Sequence, residues 1–359
     1  MTQKPIPSSG GLVHGPTCPT PEPETERIQL GHGSGGRMSQ DLLRDRFMPA
    51  FQNEILEGLG DGAVVPLEGG EIVISTDSFV VAPLEFPGGN IGDLAVNGTI
   101  NDLAMMGAEP QYLTVGFILE EGLPFQLLDR VLESMAQAAR AAGVLVVAGD
   151  TKVVERGKAD GLFINTTGIG RVLPDFRPGP HRAEPGDAVL VSGPLGRHGI
   201  TVLAARGELE LRVDLESDTA PLHGLVAALR EGAGSAVHVL RDPTRGGLAS
   251  TLNEVAAASG VGIELDETAL PIPGPVQGAC ELLGLDPLYV ANEGILVAVV
   301  GGEQAGRVLE VLRAHPLGRG AAIIGRVTSD HRGMVVMRTP LGGTRVVDLL
   351  PGDQLPRIC

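Results

Sequence analysis

Aromatic and basic residues are both scarce in this sequence. Its 359 residues include no Trp, two Tyr and eight Phe, and 27 Lys plus Arg stand against 44 Asp plus Glu, for a net charge of −17. Aromatic rings supply the platforms on which bases stack, and excess positive charge drives binding to a phosphate backbone. We therefore predict that the chain does not bind nucleic acid. It can still bind a nucleotide if Mg²⁺ lies between its carboxylates and the phosphates.

Long hydrophobic runs and paired cysteines are also missing. The longest apolar runs, residues 144–148 and 295–300, are far shorter than the roughly 18 residues of a membrane span, and the N-terminus has no apolar signal-peptide core. Cys18, Cys280 and Cys359 fit neither a disulfide framework nor a CxxC metal site. The sequence therefore predicts a cytoplasmic protein that does not enter a membrane.

The length of the chain predicts two domains of roughly 150 residues each. Helical and strand patterns alternate on both sides of a proline-rich segment, residues 174–187, which blocks regular structure. We predict an α/β (α+β) fold in which residues 28–173 and 186–340 form two mixed α/β domains. Residues 1–27 are predicted to be a disordered extension, and residues 341–359 a flexible, mobile tail because two prolines and a Gly-Asp turn interrupt them.

Hydrophobic periodicity assigns helices and strands to both domains. In the first, helices are predicted over residues 37–56, 91–106 and 125–142, and strands over 71–76, 111–119, 144–154 and 162–172. In the second, strands are predicted over residues 188–192, 237–240, 262–265, 295–300, 322–327 and 334–338, and helices over 198–206, 221–229, 248–259, 276–283 and 304–314. Cys280 follows the apolar pattern of its helix, which predicts a buried side chain.

A glycine-rich loop precedes the first helix. Residues 31–36 satisfy GxGxxG, and the backbone N–H groups of such a loop, including those of Gly33 and Gly35, can contact phosphate. Only residues 27–30 could form a strand before it, so a dinucleotide-binding βαβ unit is disfavoured against a loop that covers phosphates. A GxxxxGK[ST] motif is missing from the sequence, which excludes P-loop chemistry.

Aspartates recur where apolar runs end. Five of them share this placement: Asp61, Asp77, Asp102, Asp150 and Asp242. Each alone is more often a helix cap or a turn residue. Together, carboxylates from different strand ends would supply the hard oxygen ligands that Mg²⁺ prefers. Asp102 lies inside a predicted helix, where aspartate is intrinsically poor, and this favours a functional role.

A lysine, a glutamate and three histidines are also considered as functional residues. Lys152 follows Asp150 at the end of an apolar run and fits a solvated surface lysine as well as a functional one, and Glu293 also fits an exposed turn acid. His32, His198 and His223 lack any metal-ligand spacing, so we interpret them as non-ligands.

Cys359 is the last residue. Besides a functional thiol it fits a frayed end, a lipidation site or an accident, but CaaX prenylation needs a cysteine four residues from the end. The 11 residues after Asp348 would reach roughly 35–40 Å when extended, so a thiol there could load at one site and react at another. Arg357 or a partner's positive charge would have to favour its thiolate.

Seven motifs together carry a family resemblance, and they are located at residues 32–36, 76–81, 97–104, 149–154, 242–247, 292–294 and 356–359. From residue 28 onward the sequence resembles the HypE family, the carbamoyl dehydratases of NiFe-hydrogenase maturation. This family belongs to the superfamily of aminoimidazole ribonucleotide synthetase, selenophosphate synthetase and thiamine-monophosphate kinase. The terminal Pro356-Arg357-Ile358-Cys359 is the specific mark, because the other motifs occur across the superfamily.

The resemblance implies a homodimer whose N-terminal domains pair their sheets and bind ATP with Mg²⁺. It implies that Cys359 receives a carbamoyl group from HypF, that ATP-dependent dehydration leaves a thiocyanate, and that cyanide passes to iron held by HypC and HypD. It also implies roles for several residues: nucleotide binding by Gly33, Gly35, Asp77, Thr99, Asn101 and Asp150, metal binding by Asp61, Asp77, Asp102 and Asp242, and catalysis by Cys359, Lys152 and Glu293.

Two other functions compete with this interpretation. A different amide- or selenide-activating kinase of the superfamily would make Cys359 incidental. A non-enzymatic scaffold would use the acidic surface and the thiol to hand over a metal, and nucleotide would then be irrelevant.

Overall fold

The computed structural model describes residues 36–47, 61–67, 70–207, 213–350, 355 and 357–359. The predicted extension over residues 1–27, with Cys18, and the glycines Gly33 and Gly35 lie outside the described residues. Helix α1 (Arg37–Leu42) begins where the periodicity predicts and continues as a π-helical turn, Leu43–Phe47. The remainder of the predicted helix, to residue 56, is also outside.

The first domain is built on a five-stranded sheet with two helices packed on one face. The strands in spatial order are β1 (Ala63–Leu67), β2 (Gly70–Phe79), β7 (Leu162–Val172), β5 (Ala108–Glu120) and β6 (Leu145–Val154). β5 and β6 pair in parallel, and the other neighbours are antiparallel. Helices α2 (Ile91–Met105) and α3 (Phe125–Ala141) pack together, and α2 lies against β2 and β7. A small ribbon, β3 (Glu85–Phe86) and β4 (Gly89–Asn90), precedes α2.

Helix α2 is almost wholly buried, and its sequence reflects this. Asn90 caps it by accepting from Gly92 N, while the Asp93 carboxylate accepts from Asn90 N, so two free backbone donors are satisfied. A side chain at Gly92 would meet the Val131 carbonyl oxygen at 2.4 Å. Glycine is therefore placed where α3 crosses, despite its low helix propensity, because the close packing requires it.

The second domain is built on a seven-stranded sheet with helices on both faces. Its strands in spatial order are β14 (Thr344–Val347), β13 (Val335–Arg338), β10 (Gly262–Asp266), β12 (Ala322–Thr328), β8 (Ala188–Val191), β11 (Val297–Val300) and β9 (Val237–Arg241). Its helices are α4 (Arg197–Ala205), α5 (His223–Ala233), α6 (Gly247–Ser259), α7 (Gly274–Leu283) and α8 (Ala305–Ala314). The central strands β8 and β11 read as unbroken apolar runs because separate hydrophobic clusters cover both faces of the sheet.

The sequence predicted no regular structure in the proline-rich linker or in the tail, and the structure agrees for the linker but not for all of the tail. Residues 174–187 contain neither helix nor strand, as predicted, although Phe176 is fully buried. In contrast, residues 344–347, which the sequence analysis assigned to the tail, form β14 and pair with β13. Val347 is buried in the sheet's core, so burial of this side chain extends regular structure beyond residue 341.

Asn101 of α2 joins the two domains. Its Nδ2 donates to the carbonyls of Ala220 and Glu293, and its Oδ1 accepts from Leu222 N. A fully bonded, buried amide fixes orientation because every mismatch would leave a polar group unsatisfied. The described part of the chain contains no helix long and apolar enough to cross a membrane.

Candidate functional site

A cavity of about 390 Å³ lies between the two domains. Its lining includes six residues that the sequence analysis singled out: Asp61, Asp77, Asp102, Asp242, Glu293 and Cys359. They come from distant parts of the chain, since Asp77 lies on β2, Asp102 on α2 and Asp242 directly after β9. The fold therefore brings the aspartate motifs of both domains and the C-terminal thiol to one place.

The carboxylates of the cavity repel one another. Burial raises the pKa of Asp61 to about 6 and that of Asp242 to about 7, although Arg241 partly opposes both shifts. Burial, reinforced by the charges of neighbouring aspartates, lifts the pKa of Asp102 well above its usual range. Ser75 Oγ donates to Asp102 Oδ2 at 2.5 Å. Asp61 Oδ2 has no hydrogen-bond partner among the described residues. The cavity therefore holds more negative charge than its own hydrogen bonds stabilise.

Two arginines offset part of this charge. Arg241 Nε lies 2.8 Å from Asp61 Oδ1, and its Nη2 lies 2.6 Å from Glu254 Oε2. Arg245 Nη2 lies 3.2 Å from Asp77 Oδ1, and the negative charge at Cys359 is the main cause that raises the pKa of Arg245. Six acidic and two basic side chains line the cavity, which leaves an excess that a bound cation would balance.

This donor set suits a divalent cation that arrives with phosphates. Within the described ranges, no three His, Cys, Asp or Glu side chains already converge to hold a metal ion. Mg²⁺ bound to a nucleotide needs only one or two protein carboxylates, because phosphate oxygens and waters complete its shell. The unpartnered Asp61 Oδ2 and the mutual repulsion of Asp102 and Asp242 fit such an ion.

Glu293 is the most enclosed acid of the cavity. It is 2% exposed, its Oε1 has no hydrogen-bond partner among the described residues, and burial raises its pKa well above the usual range. Its backbone N donates to Asp218 Oδ1, and burial raises the pKa of Asp218 to about 6. A Cβ at Gly294 would lie 1.5 Å from the Asp218 carbonyl oxygen, so only glycine fits after Glu293. The alternative interpretation of Glu293 as an exposed turn acid is therefore wrong.

The end of the chain is docked beside the cavity. Ile358 is 4% exposed and packs in the core of the first domain, and Cys359 is half-buried. Val80 N donates to a terminal carboxylate oxygen of Cys359 at 3.0 Å, and Ala82 N donates to the Arg357 carbonyl at 3.2 Å. The tail end thus pairs with the segment after β2, which places the thiol at the cavity lining.

Several predicted site residues lie elsewhere in the protomer. Lys152 and Asp150 are on β6, where their side chains are 70% and 73% exposed and form an ion pair of 2.8 Å. They line a separate depression with Ser78 and Asn165. Lys152 therefore has the position of a surface lysine in the single chain.

Thr99 and Asn101 do not line the cavity either. Thr99 Oγ1 is 2.5 Å from Thr166 Oγ1 inside the first domain, and the Asn101 amide is used by the domain contact. Arg357, expected to favour the thiolate, instead pairs with Asp160 at 3.0 Å. Arg245 is the cavity arginine whose pKa is raised mainly by the negative charge at Cys359.

Sequence reasoning missed Arg241, Arg245 and Asp218. The two arginines flank Asp242 within one motif, residues 241–247, so their spacing could have identified them as its counter-charges. Asp218 has no such signal, because its place behind Glu293 depends on how residues 213–222 fold.

Comparison with known families matches both domains. Residues 59–172 match the family described as AIR synthase related protein, N-terminal domain, and residues 184–338 match AIR synthase related protein, C-terminal domain. The chain is 56% identical over 332 residues to carbamoyl dehydratase HypE of Azotobacter vinelandii, covering 92% of this chain and 97% of the relative. It is 50% identical over 337 residues to carbamoyl dehydratase HypE of Escherichia coli K12, covering 92% and 99%.

Solved structures agree with these matches. A HypE–HypF complex superposes with a TM-score of 0.82 at 47% identity, covering 86% of this chain and 99% of that one. HypE in complex with ATP superposes with a TM-score of 0.78 at 51% identity, covering 93% and 100%. The α/β fold with two mixed domains is thereby confirmed.

Proposed function

The chain belongs to the HypE family of carbamoyl dehydratases and is an ATP-dependent enzyme of that class, and from this premise we propose that its substrate is a carbamoyl group carried on its own Cys359. The observation that carries the proposal is the position of Cys359 in one cavity with Asp77, Asp242 and Glu293. If Cys359 took no part in the reaction, the C-terminus would have no reason to dock at this cavity.

ATP would bind in this cavity with its phosphates toward the aspartates. A solved relative is described as a complex with ATP. The charge excess of the cavity favours Mg²⁺, which Asp61, Asp77, Asp102 and Asp242 would hold, and which would neutralise charge on the transferred phosphoryl group. Arg245, beside Asp77 and Cys359, would orient that group toward the substrate.

The reaction would proceed in two steps. The carbamoyl oxygen attacks the γ-phosphorus, ADP leaves with the electron pair of the broken P–O bond, and the nitrogen loses one proton. The C–O bond then breaks, phosphate leaves, and loss of the second N–H proton forms the nitrile of a thiocyanate. In sum, S-carbamoyl-Cys359 and ATP give S-cyano-Cys359, ADP, hydrogen phosphate and one proton.

Glu293 would accept one of the protons. Burial raises the pKa of its carboxyl, which makes the carboxylate a stronger base toward an N–H proton than an exposed glutamate. The docked tail would also exclude water, which would otherwise hydrolyse the carbamoyl group.

Lys152 would contribute only in a dimer. β6 is an edge strand that pairs with β5 alone among the described residues, and its exposed side chains include Leu145, Val147 and Val153. An exposed apolar edge of this kind favours pairing with a second copy. We therefore include a homodimer that pairs these sheets, with Lys152 and Asp150 at the contact.

Two partners complete the proposal. HypF would supply the carbamoyl group, and the solved HypE–HypF complex of a relative supports this role. A HypC–HypD complex would accept cyanide for the hydrogenase iron. A reducing cytoplasm, which the cysteine usage predicts, would keep the Cys359 thiol available.

Intact-protein mass spectrometry tests this proposal. After incubation with HypF, carbamoyl phosphate and Mg–ATP, we expect a carbamoyl mass on the Cys359 peptide, followed by loss of one water. Cys359→Ser should remain unmodified, and Glu293→Gln should keep the carbamoyl mass without losing water. An unmodified terminal peptide with active HypF, or substrate-dependent ATP turnover that persists in Cys359→Ser, would refute the role of Cys359.

A further inference from the structure

We propose that His198 and Arg206, at the two ends of helix α4, are positioning residues that retain the C-terminal tail and so set how often Cys359 occupies the cavity. The inference deepens the proposed function and rests on it for its chemical consequence. The docking itself is a property of the chain and can be measured without any carbamoyl group.

Each of the last three residues is held through its backbone. The Arg357 carbonyl accepts from Ala82 N and from Arg206 Nη2 at 2.8 Å. The Ile358 carbonyl accepts from His198 Nε2 at 2.8 Å, and a terminal oxygen of Cys359 accepts from Val80 N. The first domain therefore supplies backbone donors to the tail end, and the second domain supplies two side-chain donors, His198 and Arg206, to the same segment.

The chemistry of the contact defines the state of His198. A carbonyl oxygen can only accept, so Nε2 carries the proton and Nδ1 is free to accept from Ser217 Oγ at 2.7 Å. The ring is fully buried, and the ring of Phe86 packs perpendicular to it at a centroid distance of 5.5 Å. His198 therefore holds one tautomer and one orientation, which suits a fixed donor.

Helix α4 is also fastened to the loop that carries Glu293. Gly196 N donates to Asn292 Oδ1 at 2.6 Å, and Gly199 N donates to the Ala291 carbonyl at 3.1 Å. His198 lies between these two glycines. These hydrogen bonds link His198, which donates to the Ile358 carbonyl, to the loop of Glu293, the proposed proton acceptor. They therefore fix the position of the Cys359 thiol relative to Glu293.

The other contacts of the tail end are less specific. Arg357 and Asp160 form an ion pair with half-exposed side chains, which contributes little in water. Ile358 adds apolar burial but does not determine the direction of the chain. The directional contacts are the hydrogen bonds, and loss of the His198 donor would leave the buried Ile358 carbonyl unsatisfied.

Weaker docking of the tail should affect carbamoyl loading and dehydration in opposite ways. Carbamoyl loading by a second protein needs the thiol undocked, whereas dehydration needs it in the cavity. Loss of the His198 donor should therefore slow dehydration of a loaded tail while loading continues at the same rate or faster. A merely structural defect would slow both.

Alkylation of unmodified Cys359 by iodoacetamide, followed on the terminal peptide by mass spectrometry, tests docking directly. His198→Phe keeps an aromatic ring at this position but removes the N–H donor to the Ile358 carbonyl. Because the tail should then undock more often, we expect Cys359 to react about tenfold faster. His198→Gln can place an amide N–H near Nε2 and should restore part of the protection. His181→Phe, at an exposed site, should react like the wild type.

Buried Cys280 reports global unfolding in the same sample. If His198→Phe also exposes Cys280, Arg206→Leu provides the test, and faster alkylation of Cys359 alone supports retention. An unchanged Cys359 rate in His198→Phe with Cys280 protected, or in Arg206→Leu, overturns the proposal. If Cys359 never acquires a carbamoyl group, the proposed function fails while the alkylation result still decides whether the tail is held.

Discussion

Some side chains of the cavity lower the folding stability of the ligand-free protein. Asp242 is 6% exposed, and burial together with the charge of Asp61 raises its pKa to about 7, so near neutral pH its carboxylate is held at a cost in folding free energy. Arg241 compensates only in part, because it is shared with Asp61 and Glu254. A residue retained under such conditions is expected to serve a ligand that brings positive charge.

Asp242→Asn should therefore stabilise the ligand-free protein and inactivate it. The amide keeps the shape but removes a buried charge, and we expect the free energy of unfolding at pH 8 to rise by about 1–3 kcal/mol. Urea denaturation measures this change. ATP-dependent water loss from the carbamoylated tail should fall at least a hundredfold in the same variant. Ser250→Ala, also at the cavity lining, serves as a control that keeps every charge. A destabilised or fully active Asp242→Asn would contradict the argument.

At the scale of elements, periodicity predicted most of the fold. The helix predicted over residues 91–106 is Ile91–Met105, and the strand predicted over 162–172 is Leu162–Val172, whose side chains alternate between buried and more exposed positions. The strand predicted over 144–154 is present as Leu145–Val154, but its place at the sheet edge was not predictable, since strand order depends on contacts between distant residues.

The exposed edge of β6 leads to a prediction about assembly. Val153 is 69% exposed on this strand, and a glutamate there would repel its counterpart across a two-fold contact of paired sheets. Val153→Glu should therefore lower the dimer fraction at least tenfold in sedimentation velocity at micromolar concentration. Leu282→Glu introduces the same charge at a similarly exposed site on α7 and should leave the dimer intact. A dimer that persists in Val153→Glu would place the interface elsewhere.

At the scale of the whole molecule, the candidate site could be predicted as a set of residue types but not as a geometry. Four of the five aspartates, Glu293 and Cys359 carry recognisable motifs and line one cavity, whereas Asp150 lies outside it. The separation of Lys152 from that cavity, and the use of Asn101 as a domain contact, follow from domain packing, which leaves no pattern in the sequence. His198 was interpreted as a non-ligand, and its bond to the Ile358 carbonyl joins residues 160 positions apart.

The burial of His198 also makes the stability of the whole molecule depend on pH. Burial lowers its pKa from 6.5 to about 4, so below pH 6.5 the unfolded chain binds a proton that the folded protein does not. Its contribution is complete above pH 6.5 and is lost as the pH falls toward 4, by roughly 2 kcal/mol at pH 5. Asp61, Asp218 and Asp242, whose pKa values are raised by burial, act in the opposite direction over part of this range, so the wild-type curve alone is not diagnostic.

A comparison with variants that lack a titrating group at position 198 isolates this effect, because the buried acids are common to all of them. From pH 7.5 to pH 5, the free energy of unfolding of the wild type should fall by about 2 kcal/mol relative to His198→Gln, as measured by urea denaturation. His198→Phe packs differently but cannot titrate either, so it should show the same relative change although its stability at pH 7.5 differs. A difference between wild type and both variants that stays constant with pH would mean that His198 titrates alike in the folded and unfolded chain. In that case the ring is accessible to water, and it could not be the fixed neutral donor that holds the Ile358 carbonyl.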